Sequence, residues 1–214
     1  MRLTRRIPEP VALPAWRIDA AQLLEEHHLV AWSPLATRRT TFATELAQHL
    51  ARFEDTQVCV INGAGISDLA SFAATLEEQL HVGHIQPRLA GSSGLLDCLR
   101  RRPKDLERPT LKRRFYIWLD ADALLRRDHR LFGRIVDAFA GIAAESEYAS
   151  EDVLLLHRAI FVGSSVLDVY AEDPRGQVRT WWSEHGETPF WNVVTGVERP
   201  VFLRYRIEDA VAAA

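Results

Sequence analysis

The spacing of apolar and polar residues changes period several times along the chain, and each change marks a switch between strand-like and helix-like patterning. Leu29 to Trp32 is a short apolar run and the first strand candidate. From Thr40 to Phe53, the residues Phe42, Leu46, Leu50 and Phe53 recur at helical spacing, which predicts a helix with one buried face. Gln57 to Ile61 is rich in β-formers and stops at Asn62-Gly63, a strong turn signal. Ser67 or Asp68 is placed to cap a helix that carries Leu69, Phe72, Leu76 and Leu80 on one side. Phe115 to Leu119 is apolar at every position, as a strand covered on both faces requires, and it ends at Asp120. Phe132, Ile135, Val136, Phe139 and Ile142 predict a helix over 131–144, Val153 to Val162 a strand stopped by Gly163, and Pro200 to Ile207 a last strand.

Strands that alternate with helices predict an α/β fold: a three-layer α/β/α sandwich with a mostly parallel sheet and right-handed crossovers. Residues 1–18 carry three prolines and little periodicity, and read as an extended N-terminal arm. Residues 19–214 read as one α/β domain, beginning with a short helix over 20–27 capped by Asp19. A second short helix is expected over 95–101. Residues 171–214 form an aromatic-rich extension of the sheet, in which Trp181, Trp182, Phe190 and Trp191 read mainly as satellite core.

Composition narrows the partners more than the fold. The net charge of -3 gives no global drive toward nucleic acid or an anionic membrane. No apolar run is long enough to span a bilayer. The basic start, Met1 to Arg6, is followed by prolines and not by the apolar stretch of a secretory signal, so Cys59 and Cys98 read as reduced thiols of a cytoplasmic protein. The segment Arg100–Arg114 holds eight Lys and Arg against two acids. It could meet nucleic-acid phosphates, but it lacks interleaved aromatics and reads as a solvated loop. The histidines show no metal spacing with the cysteines, and His81-x-x-His84 reads as a solvated pair in a loop.

The candidate chemistry lies at the strand ends. The run from Leu29 to Phe42, an apolar strand that passes through a loop into a helix, has the place and spacing of G-x-x-x-x-G-K-[ST]. Ser33 and Arg38 stand at the two glycines, Arg39 at the lysine and Thr40 at the last position, with Thr41 beside it. Tyr116-Ile117-Trp118-Leu119-Asp120-Ala121-Asp122 is an apolar strand ending in acids, and Phe161-Val162-Gly163-Ser164 ends in small polar residues. In this order the three segments resemble the Walker A, Walker B and sensor strands of P-loop NTPases of the AAA type, over roughly residues 28–166. The resemblance implies that Ser33, Arg38, Arg39, Thr40 and Thr41 would meet a nucleotide or another anion. Asp120 and Asp122 would be the Walker B-like acids and Ser164 the sensor. It also implies a degenerate site. Arg38 puts a long side chain where glycine lets the backbone close on phosphate, Arg39 is not the point charge that lysine is, and Ala121 stands where the catalytic acid follows the first Asp.

The implied protein is a pseudo-ATPase that works by binding another protein, with weak ATP and Mg²⁺ binding as the alternative; the sequence leaves its oligomeric state open. On an equally bland reading, Ser33 to Thr41 is only a strand-to-helix connection, with Thr40 or Thr41 as N-cap and Asp120 capping the helix after the central strand. A weaker resemblance links Val60-Ile61-Asn62-Gly63, Ser67-Asp68-Leu69 and Leu96-Asp97-Cys98-Leu99 to the barstar family of ribonuclease inhibitors. There Asp97 would be the residue offered to the nuclease.

Overall fold

A computed structural model describes residues 28–80, 99, 111–148, 155–172 and 202–207. The elements run β1 His28–Trp32, α1 Ala36–Leu50, β2 Thr56–Asn62, a 3-10 turn Gly63–Gly65, α2 Leu69–Leu80, β3 Arg113–Leu119, α3 Asp122–Arg127, α4 His129–Tyr148, β4 Leu156–Gly163, α5 Ser165–Glu172 and β5 Phe202–Arg206. All pairings are parallel and the strand order is β2-β3-β4-β1-β5. The expected α/β class is therefore present. The arm over 1–18, the helices over 20–27 and 95–101 apart from Leu99, the basic run up to Thr110, Asp97 and the tryptophans of 181–191 lie outside the described residues.

Alternation along the inner strands shows why two helical layers are needed. Phe115 and Ile117 of β3, Ile160 and Val162 of β4, and Leu29 and Ala31 of β1 pack with Phe42, Ala43, Leu46 and Leu50 of α1. The intervening Tyr116, Trp118, Ala159, Phe161 and Val30 pack with Phe72 and Leu76 of α2, Phe132, Ile135 and Phe139 of α4, and Leu167 and Tyr170 of α5. Among the described elements, one face thus carries α1 and the other the remaining helices. Val60, on the strand β2 at the edge of the described sheet, is left 40% exposed. Aromatic edges knit the thicker layer: Trp118 lies 5.6 Å from both Phe72 and Phe132, and Phe132 meets Tyr170 edge-on at 5.1 Å.

Two local expectations are corrected. Helix α1 begins at Ala36, not at Thr40, and its N-cap is Leu35 with no side-chain bond. Pro34 holds the chain extended before it, while Ala36 and the two arginines are strong helix formers, so the helix starts as soon as the proline allows. Asp120 does not cap α3, whose N-cap position is Ala121. His28 and His157, which gave no signal in the sequence, are buried. His28 Nδ1 accepts the Ala159 N–H at 2.9 Å and continues the β1–β4 ladder with a ring nitrogen, and His157 Nδ1 lies 3.2 Å from the Tyr116 hydroxyl. The cap of α2 is as expected: Asp68 accepts the Ser71 N–H at 2.8 Å.

Burial also shapes the titration of two core groups. The free Cys59 thiol is pushed up to about 12 by burial, so it stays protonated and inert. Asp137 of α4 is buried, its Oδ1 has no hydrogen-bond partner, and burial pushes its carboxyl up to about 8. The folded value lies above the ordinary 3.8, so the stability this group carries is complete below about pH 4 and is lost as pH rises toward 8. Asp137→Asn should flatten stability across that window, with a gain on the order of a few kcal/mol at pH 8. Urea melts of both proteins at pH 5, 7 and 8.5 check this; parallel pH profiles would refute it.

Candidate functional site at the carboxyl edge of the sheet

The strand order dictates where a crevice opens. From β1 the chain crosses to the far edge at β2, on the α1 face. It then returns through β3 and β4 and passes over β1 to β5, on the opposite face. The connections leaving β1 and β4 therefore diverge to opposite faces. In parallel sheets the carboxyl ends of such a strand pair form the usual ligand crevice. Ser33, Asp120 and Ser164, directly after β1, β3 and β4, sit there with Gly163 at the end of β4 and Asp122 at the start of α3. The Ser33 N–H donates to Gly163 O at 3.0 Å and the Ala121 N–H to Val162 O at 3.1 Å, which ties the three strand ends together.

The first part of the site is a clasp between α1 and β3. Arg39 Nε donates to Asp120 Oδ1 at 3.0 Å, and its Nη1 donates to Ser33 O at 3.0 Å and Pro34 O at 3.4 Å. The pair is partly shielded, with the Arg39 side chain 14% and that of Asp120 32% exposed. Asp120 holds its carboxylate there from a left-handed backbone conformation, φ 52°, which aspartate tolerates better than most residues. The second part is a relay around Ser164. Its hydroxyl donates to Asp122 Oδ2 at 2.5 Å and accepts from Arg126 Nη2 at 2.7 Å, while Arg126 also pairs with Asp122 at 3.1 Å. Asp122 is the buried member and Arg126 the exposed one.

The loop between β1 and α1 is only Ser33-Pro34-Leu35. Arg38, Arg39, Thr40 and Thr41 consequently stand within the helix and not in a loop that could curl around a phosphate. The Arg38 and Arg39 N–H groups donate to Leu35 O, and the Thr40 hydroxyl donates to Ala36 O at 3.2 Å on an exposed face. Thr41 is exposed on the same helix. The structure thus brings Ser33, Arg39 and Asp120 into one contact set and Asp122 and Ser164 into another, and leaves Thr40 and Thr41 out of both.

Sequence reasoning missed Arg126 and Gly63. The signal for Arg126 was its place four residues after Asp122, the i,i+4 spacing of a helical ion pair. A Cβ on Gly63 would lie 2.5 Å from Asp120 O, 2.6 Å from Trp118 Nε1 and 2.7 Å from Leu119 O, so the end of β2 can lie against the end of β3 only without a side chain. Gly163 is constrained in the same way by the Asp122 carboxylate and Leu167. Gly63→Ala should cost about 1–3 kcal/mol, because backbone must move to admit the methyl group. Gly65→Ala, with open space around it, should be nearly neutral. Chemical denaturation of the two variants compares them directly, and equal losses would refute the packing argument.

No protein-family model, no curated protein and no solved structure matches this chain.

Proposed function

We propose that the chain is a P-loop NTPase-like domain whose nucleotide site has degenerated, and that it acts by binding another protein. The observation that carries this reading is the bonding of Arg39. The side chain at the lysine position spends its Nε on Asp120 and its Nη1 on the carbonyls of Ser33 and Pro34, so the cation and the acid that would serve phosphate and metal neutralise each other. The three-residue loop and the engaged Thr40 hydroxyl point the same way. The carboxyl-edge crevice supports the architectural half of the reading, since it lies where parallel α/β sheets hold their ligands.

A melting experiment with and without millimolar Mg-ATP tests it. A ligand present at a hundred times its Kd stabilises a fold by about 2.7 kcal/mol, which for a chain of this size is a shift of several degrees. The expected result is no shift. A rise in Tm that Thr40→Ala abolishes would overturn the reading in favour of a nucleotide-binding ATPase.

A further inference from the structure

Among the described strands, β2 ends the sheet order and has β3 as its one ladder partner. Its sequence, Thr-Gln-Val-Cys-Val-Ile-Asn from Thr56 to Asn62, carries no charged side chain, no proline and no glycine. Charges, prolines and bulges are the usual means by which an edge strand is kept from pairing with another chain. β2 has neither of the first two, and its register with β3 runs from Thr56 to Asn62 without a bulge. Short uncharged segments rich in β-branched residues are the ones that add strands most readily.

The described obstacle on the outer side is Gln79 of α2, whose Oε1 accepts the Val60 N–H at 3.3 Å. At that length, and open to solvent, the bond is one that another acceptor replaces at little cost. It also fixes which way the strand faces. Successive residues point their backbone groups to alternate sides, so Val58 and Asn62 are turned outward with Val60, while Gln57, Cys59 and Ile61 are turned to β3. The outward C=O of Val60 and the outward N–H and C=O of Val58 make no hydrogen bond to a described residue. Beside them, Val58 packs partly against the α1 layer and Val60 is 40% exposed.

We infer that the outer edge of β2 pairs antiparallel with the same strand of a second copy of this chain, joining two sheets into one across a two-fold axis. The edge is complementary to itself, as a two-fold contact requires. Pairing centred on Cys59 sets Val58 opposite Val60 of the copy, and Val60 opposite its Val58, so that each valine exchanges backbone bonds with the other and their side chains meet on the α1 face. Thr56 falls opposite Asn62, and Glu54 and Asp55 fall opposite Ala64 and Gly63, so no like charges meet. An uncharged strand offers a strongly acidic or basic segment nothing to recognise, whereas its own copy matches it in length, polarity and charge. Gln79 sets the threshold, because it must leave the Val60 N–H before the copy's Val58 carbonyl can take it. Self-pairing at β2 is independent of the degenerate nucleotide site, so either can fail and leave the other standing.

Sedimentation equilibrium of the full chain over a concentration series is the test, and the expected result is a reversible dimer. Gln79→Ala frees the Val60 N–H and should tighten the dimer roughly three- to tenfold. Val60→Lys puts a charge on the edge and should weaken it at least about tenfold, while Val169→Lys, the same change at an exposed valine of α5, should leave it within about twofold. Melting curves establish that each variant is folded. In the unaltered chain, the Val58 amide should exchange slowly when dimeric and faster on dilution. A monomer at ~100 µM both for the unaltered chain and for Gln79→Ala would overturn the pairing. Equal weakening by Val60→Lys and Val169→Lys, or a Val58 amide whose exchange ignores dilution, would do the same.

Discussion

The structure depends on a constraint of connectivity: β1, the first described strand, lies inside the sheet, between the last two strands. Both of its neighbours come from the far end of the described chain, with Leu29 opposite Ile160 on one side and Leu203 on the other. A strand in that position has no solvent face, and its backbone groups need partners on both sides. The double-layered packing, the divergence of crossovers at β1 and β4, and the crevice at their carboxyl ends all follow from that insertion. The residues of chemical interest were therefore gathered by topology before any one of them was placed by its own bonds.

Much of this was legible in the sequence because hydrophobic period reports burial. Phe115 to Leu119 announced a strand covered on both faces, and the 3.6-residue spacing from Phe132 to Ile142 announced the longest helix. Helix starts were less legible, because they depend on where the chain becomes free to turn. Pro34 set the start of α1 and the expectation at Thr40 was four residues late. The buried histidines were missed for a related reason. A ring nitrogen that stands in for a backbone acceptor, as His28 does for Ala159, leaves no trace in a periodicity.

At the candidate site, the sequence showed which residues would gather but not how they would bond. Ser33, Asp120 and Ser164 lie at strand ends that a parallel sheet must bring to one edge, and Arg39 and Asp122 lie in the first turns of the helices that follow. That Arg39 would turn onto Asp120, or that Ser164 would bridge Asp122 and Arg126, depends on side-chain reach and on the left-handed turn at Asp120. Those are three-dimensional facts without a one-dimensional signature. The same holds for Gly63, whose need is set by a neighbouring strand more than fifty residues away.

The placement of β1 has a consequence for biosynthesis. Its ladder partners in β5 emerge more than 170 residues after it, and at roughly 5–20 residues per second the ribosome needs on the order of ten to thirty seconds to deliver them. β4 is made about 130 residues after β1 and can close one edge of Leu29-Val30-Ala31-Trp32, while the edge that β5 covers stays open to the end of that interval. Pairings so distant in sequence are also the slowest to close. One side of β1 thus waits for the last described strand, which makes loss of β5 by C-terminal truncation a direct route to an unpaired strand edge.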